Sequence, residues 1–330
     1  MKTYDVTIIG FGITGLLVLA ILKSNNIHNI CIIDPYFDGG DLMRLWGDVI
    51  SNTPLEKAIN ALQLINPNYV LPAQYNYDIT KITPLYILVH IVKDFVRQYD
   101  FDRVETNVKK LIYNDIWNIT NEDGSIIQSK VIIACQGSEP KKLQCAIPSI
   151  PLQNALNKDI LKKYIKPLDK VLLFGTAHSG TLILENLEKL KVQTTAIYKE
   201  NAFLFASDGA YDGIKEEGER IARQILNNEY KYIDLVKLTN VEKIIKASKE
   251  ASWVIYAMGF ESRLIDAVVN EKPISLREYD SSTGMLKCPK AYGFGIAYPS
   301  LAPDKTHVDV GLFSFVEHIQ KQIPNLKTYL

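Results

Sequence analysis

Apolar and polar positions follow one pattern at two places in this chain. From Tyr4 to Ile9 they alternate and then close on two isoleucines, which predicts a parallel strand buried at its end. Glycines at 10, 12 and 15 follow and open a helix to about Lys23, and Asn29–Ile33 predicts a second strand. The order recurs from Lys170: a strand, Gly175 and Gly180 at a helix start, then a strand ending at Tyr198. The copies are in register, since 175 − 10, 180 − 15 and 199 − 34 all equal 165.

Between the copies, Thr53 caps a predicted helix, with Pro54 in its first turn and Glu56 completing a capping box. Thr83 and Pro84 start another, whose apolar face is Leu85, Leu88, Val89, Val92, Phe95 and Val96. Strands are predicted from Val108 through Ile116–Ile119, with a hairpin turn at Asn121–Gly124, and over Lys130–Ala134. Pro148 and Pro151 mark a domain crossing. A helix over Gly213–Asn227 and strands at Ile233–Leu238 and Trp253–Ala257 complete the second copy. Ser262–Lys290 reads as a loop-rich return, followed by a glycine-rich stretch at Tyr292–Ala297 and a helix over Phe313–Gln322. The fold class expected is α/β, with two Rossmann-like (three-layer ββα) dinucleotide-binding domains. The second domain, 151–265, is inserted in the first, 1–150 and 266–330.

Composition narrows the class. The 330 residues are enough for two cores, and 47% hydrophobic with 22% charged residues is ordinary for a folded globular chain. A formal net charge of +0 argues against nucleic acid or an anionic membrane as partner. The four cysteines form no C-x-x-C, which excludes a local redox dithiol or zinc ribbon, and no metal site is expected. The apolar run Ile13–Leu22 is too short to span a bilayer. Its phased glycines fit a βαβ unit better than a signal peptide, so a cytoplasmic location is expected.

The first glycine run has the context that gives the motif meaning: a strand before it, a helix after it, and a carboxylate 34 − 15 = 19 positions past its last glycine. Gly10 allows the tight turn, Gly12 lets the backbone approach a pyrophosphate, and Gly15 lets the helix pack on the strand. Ile13 and Thr14 begin the helix whose dipole favours the anion. In the second run Ala177 replaces the central glycine, and His178 and Ser179 open the helix. Asp34, followed by Pro35, suits a ribose diol, whereas Lys199 suits a 2′-phosphate. Two different dinucleotides are expected, pointing to a flavin and a nicotinamide. Lys199 has the alternative of a solvated strand-end lysine opposed by Glu200, and the second loop that of a vestigial site. His178 contacts a phosphate, the nicotinamide end, or neither.

With these residues the chain resembles the two-dinucleotide-binding flavoproteins, the superfamily of thioredoxin reductases and flavin-containing monooxygenases. Gly39, Gly40, Asp41 and Leu42, with Ser51–Pro54, look like the family segment that runs along the FAD. Arg44 and Trp46 follow it, either lining the isoalloxazine pocket or serving as a surface ion pair and a core residue. Thr106–Val108 resembles the stretch whose backbone meets the adenine. Val131–Pro140 resembles an apolar strand ending in Ala-Thr-Gly, with Cys135 in the threonine's place and Gly137 closing it. Cys135 itself reads as a packing residue. Trp253–Phe260, with Gly259, is similar to the second such strand in monooxygenases. The family's closing Gly-Asp pair is not in place; Asp309 is taken as the acid, and Gly311 as the lead into a helix aimed at the flavin.

The resemblance implies FAD in the first domain and NAD(P)H, NADPH favoured, in the second. It implies an FAD-dependent NAD(P)H oxidoreductase in which the cofactor carries the chemistry, so no catalytic side chain is singled out. Monooxygenase-like transfer to oxygen and a small substrate is the first reading, although the longer monooxygenase fingerprint is missing. A cysteine-free relative of thioredoxin reductase, passing electrons to a ferredoxin, quinone or other acceptor, is the second. A vestigial flavoprotein acting as redox sensor or binding module is a third. The partner is accordingly a small-molecule substrate or a protein electron acceptor, and a homodimer is allowed.

Overall fold

The computed structural model describes residues 2–206, 213–301 and 308–330. The chain divides into two compact units. Met1–Gly47, Pro54–Glu139 and Ser262–Leu330 make the first, and Asp48–Thr53 with Pro140–Glu261 the second. The sequence places the crossings near 150 and 265; the units divide at Pro140 and Ser262, and the short Asp48–Thr53 segment joins the second.

In the first unit, strand Thr3–Ile9 lies between Ile30–Ile33 and Ile126–Ala134, parallel to both. Asp102–Val104 extends one side, and Ala291–Gly293 pairs with the end of Ile126–Ala134. On the other side the hairpin continues antiparallel through Ile116–Asn121 to Val108–Asn114. Helix Ile13–Ser24 is buried from Ile13 through Lys23, as a helix that is apolar all round must be. It packs against Leu85–Val96 and Leu312–Lys327.

Four local expectations change. Helix Leu55–Ile65 has Pro54 at its cap and no side-chain cap bond, so the capping box from Thr53 does not form. The Leu55 and Glu56 amides donate instead to the carbonyls of Lys81 and Ile79. Helix Leu85–Val96 also buries Ile87 and Ile91, leaving Leu85 and Leu88 at the margin, because neighbouring helices pack on it from more than one side. The last helix runs from Leu312 to Lys327, through Pro324, since its buried stripe continues over Ile323 and Leu326. The return segment is more than loop: Asp266–Val269 adds in parallel beside Val108–Asn114, and Lys272–Ile274 pairs with it antiparallel.

The second unit is built on four parallel strands in the order Ile233–Lys237, Gln193–Tyr198, Lys170–Phe174 and Trp253–Tyr256. Helices His178–Lys189 and Glu216–Leu226 pack on each other. Helices Lys158–Tyr164 and Val241–Glu250, capped by the Asn157 and Asn240 side chains, lie outside the elements expected from sequence.

The Asp266–Ile274 hairpin turns on two residues with positive φ, Asn270 at 47° and Glu271 at 66°. Asparagine tolerates that region; glutamate is strained in it. Glu271→Gly is expected to raise stability by about 1 kcal/mol, seen as a higher urea midpoint with an unchanged slope. A lower midpoint would show that the Glu271 side chain, not the backbone strain, dominates.

Candidate functional site

The first glycine loop is held by contact. Gly10 has φ 104°, and a Cβ on it would strike the Cys135 carbonyl; a Cβ on Gly15 would strike the carbonyl oxygen of Gly10. Gly12 differs. The nearest atom to a Cβ there is the Gly39 oxygen at 4.0 Å, so no protein atom demands glycine. Gly12 caps helix Ile13–Ser24 without a side-chain acceptor, which leaves the first-turn amides of Ile13, Thr14 and Gly15 available to an anion. Gly40 walls this space: its Cβ would lie 2.9 Å from the Gly12 Cα.

Asp34 ends the second strand and is 7% exposed. Its Oδ2 accepts from the Phe11 amide at 2.8 Å, and its Oδ1 from the Tyr36 and Phe37 amides at 2.9 and 2.8 Å. A carboxylate offers about four lone-pair sites, so most of its capacity holds the loop and the turn after Pro35. The Asp34 amide donates to the Val104 carbonyl, which ties this corner to the stretch leading to Thr106 and Val108. Val108, half-buried, begins strand Val108–Asn114.

Beyond Gly40, Leu42 packs against the core and Trp46 is half-buried. Arg44 bonds to Asp41 at 2.8 Å, approaches Asp38 at 3.7 Å, and stacks on the Tyr36 ring at 3.9 Å. On the facing wall, Cys135 is buried and burial pushes its thiol pKa up, so it packs rather than reacts. The Gln136 Nε2 donates to the Tyr298 hydroxyl at 2.7 Å and to the Arg263 carbonyl at 3.2 Å; its Oε1 is buried with no partner among the described residues. Gly137 follows with φ 73°.

The return segment reaches the same helix start. A Cβ on Gly295 would strike the Thr14 side chain, and the next residue, Ile296, is exposed. Asp309 pairs with Ser300 in a short ribbon, and its Oδ1 is buried with no partner among the described residues. Gly311 caps helix Leu312–Lys327, also without a side-chain acceptor.

The second loop repeats these contacts inside its own unit. A Cβ on Gly175 would strike the Ala257 carbonyl, and one on Gly180 the Gly175 carbonyl. Gly259 stands to Gly137 as Ala257 to Cys135, since 259 − 137 and 257 − 135 both equal 122. Ala177 caps its helix at φ −72°, ψ −168°, beside −71° and −177° at Gly12, and is exposed. Ser179 is half-buried, and Lys199 is 83% exposed, with the Glu200 carboxylate 3.8 Å away. His178 turns inward: it bonds to the Ile50 backbone, its Nδ1 is buried with no partner among the described residues, and burial holds its pKa below the usual value.

No protein-family model matches the chain, and no curated protein matches it in sequence. Solved structures do match. A flavin-containing monooxygenase from Stenotrophomonas maltophilia superposes with a TM-score of 0.71 at 15% identity, over 100% of this chain and 99% of its own. The cadaverine monooxygenase DfoA of Erwinia amylovora, bound to FAD, gives 0.68 at 11% identity over 98% and 94%. Bacillithiol disulfide reductase from Staphylococcus aureus gives 0.66 at 13% over 99% and 99%. The chain shares the fold of these three proteins.

Within this fold the first cradle has the features that a dinucleotide would need. The space at Gly12, the uncapped helix start, and the Gln136 Oε1 and Asp309 Oδ1, which have no partner among the described residues, are each polar or open features suited to a ligand. Gln136 lies inside the Val131–Pro140 motif without being singled out by it, and Arg263 carries no sequence motif; the Gly295 contact was signalled by the glycine-rich run around it.

Asp34→Asn sets an amide NH2 against one of three backbone donors. It is expected to cost about 2 kcal/mol of stability, read from denaturant unfolding, and to weaken binding at the first loop. A variant as stable as the parent would remove Asp34 from loop support. His178 and His318 both have pKa values lowered by burial from 6.5. The unfolded chain therefore binds protons first as pH falls through that value, and stability falls with it until the folded imidazoles protonate too. The unfolding midpoint should drop between about pH 7 and pH 5, and His318→Gln should flatten the drop.

Proposed function

We propose that the protein is an FAD-dependent NAD(P)H oxidoreductase, with FAD at the first unit's loop and the nicotinamide dinucleotide at the second's. The doubled loop carries this reading. The same glycine contacts occur at 10 and 15 and at 175 and 180, followed by a buried carboxylate in one copy and an exposed ammonium in the other. The FAD-bound cadaverine monooxygenase of the same fold supports it.

In this reading the amides of Gly12, Ile13, Thr14 and Gly15 bind the pyrophosphate. The spare acceptor capacity of Asp34, beside Pro35, meets the ribose, and the backbone at Val108 meets the adenine. Gly40, Leu42, Arg44 and Trp46 flank the flavin half on one side and Cys135 and Gly137 on the other. Asp309 and Gly311 meet its ribityl and pyrimidine parts. Gly175, Ser179, Gly180 and Gly259 hold the second dinucleotide, with Lys199 toward the 2′-phosphate of NADPH, and Ala177 narrows the approach. FAD held by these residues would supply the redox chemistry, accepting a hydride from the nicotinamide and passing electrons to an acceptor.

Oxygen with a small substrate is the favoured destination, supported by the monooxygenase-like Met258, Gly259 and Phe260 and by the monooxygenases among the similar structures. The four cysteines form no C-x-x-C, and burial pushes the thiols of Cys31, Cys135 and Cys288 up, which argues against an internal redox dithiol as the acceptor. The missing monooxygenase fingerprint favours the second reading, transfer to an external acceptor.

The test is anaerobic stopped-flow mixing of FAD-loaded protein with NADPH. Flavin absorbance is expected to bleach rapidly, and NADPH-dependent oxygen uptake then separates the two destinations. No bleaching with NADPH or NADH would overturn the oxidoreductase reading and leave a sensor. Lys199→Glu is expected to lower the NADPH-over-NADH preference about tenfold; an unchanged ratio would return Lys199 to a solvated strand end.

A further inference from the structure

We propose that Arg263 is a cofactor-binding residue of the first unit, its guanidinium meeting the dinucleotide's pyrophosphate and Asp41 holding it in place. The assignment rests on the FAD reading above.

Arg263 spans two walls. Its amide donates to the Gly137 carbonyl at 3.3 Å, and its carbonyl accepts from the Gln136 Nε2, so its backbone is stitched to the end of strand Ile126–Ala134. That wall borders the glycine loop, since a Cβ on Gly10 would lie 3.2 Å from the Gln136 Cα. The side chain crosses to the Asp41 carboxylate. Asp41 directly follows Gly40, which borders the loop at Gly12. The guanidinium therefore lies across the crevice at the carboxyl ends of the strands, where open α/β sheets take their ligands.

Charge and donor count point the same way. A pyrophosphate brought to Gly12 meets carboxylates at Asp34, Asp38 and Asp41; the cations near them are Arg44, Arg263, Lys93, whose Nζ donates to the Asp38 carbonyl, and Arg103, which stacks on the Phe37 ring and pairs with Glu105. Arg44 is committed to Asp41, Asp38 and the Tyr36 ring. Arg263 bonds to Asp41 and reaches the Gln136 carbonyl at 3.5 Å, and its side chain is 40% exposed, so part of its five-donor fork is open. The Phe11 amide is already taken by Asp34, so the loop offers fewer amides to an anion than its length provides. The Gln136 Oε1, with no partner among the described residues, lies on the Arg263 wall, an acceptor suited to a ligand donor.

The test measures FAD and ADP binding by calorimetry at low and high salt; ADP carries the diphosphate without the flavin. Arg263→Gln is expected to weaken both ligands by about tenfold at low salt, less at high salt, with Arg263→Lys intermediate. Asp41→Asn combined with Arg263→Gln should stay weak. Recovery of parental affinity in that double variant would mean that Arg263 only neutralises Asp41, and would overturn the contact. So would Arg263→Gln binding like the parent. A measurement on the parent protein stands apart from variant folding: phenylglyoxal should modify Arg263 in the free protein and not in the presence of FAD or ADP. Modification undiminished by saturating ligand would overturn the assignment. A parent protein that binds neither ligand would overturn the FAD reading itself, whereas parental binding with an indifferent Arg263 overturns this assignment alone.

Discussion

The Gly10 carbonyl oxygen occupies the place where a β-carbon of Gly15 would stand, and Gly10 itself presses on the Cys135 carbonyl. That stack joins the end of strand Thr3–Ile9, the end of its neighbour Ile126–Ala134, and the start of helix Ile13–Ser24. Any side chain at either glycine would separate the helix from the sheet. The helix, buried from Ile13 through Lys23, has no solvent face to fall back on, so the core of the first unit depends on this junction. The same junction aims the helix's unbonded amides outward beside Gly12, so the contact that closes the core also opens the cradle.

The two copies share that junction and differ in what encloses it. The first loop is enclosed by its own unit: Gly40 borders Gly12, Gly295 covers Thr14, and Asp34 binds the Phe11 amide. At the second, Ala177 and Lys199 stand in solvent, and His178 turns away into the protein. Asp34 has a structural duty that register alone does not reveal. A buried carboxylate on a tight loop is first claimed by the nearest amides, because leaving them unpaired costs more than a ligand contact returns.

The strand–glycine–helix units were legible in the sequence because no other residue fits Gly10 or Gly15 and the two glycines lie at a short fixed spacing between a strand and a helix. The Asp266–Ile274 hairpin was not, because Glu271 supplies a positive φ by strain rather than by glycine. The Thr53 capping box failed because distant carbonyls, those of Lys81 and Ile79, reached the helix amides first. Gln136 and Arg263 escaped notice for a related reason. Their neighbours, Tyr298 and Asp41, lie 162 and 222 positions away, and no spacing rule spans such distances.

On the proposed function, the unequal enclosure of the two loops has a kinetic meaning. A cofactor that stays through many turnovers gains from walls that immobilise it, and the first loop has them on the sides of Gly12, Thr14 and Phe11. A nicotinamide that must leave after each hydride transfer gains from a shallow site, because its release limits the cycle if binding is too tight. Ala177 then need not be decay. Its backbone angles match those of Gly12 within about ten degrees, so the helix amides keep their aim while one methyl group limits how closely a pyrophosphate can settle on them.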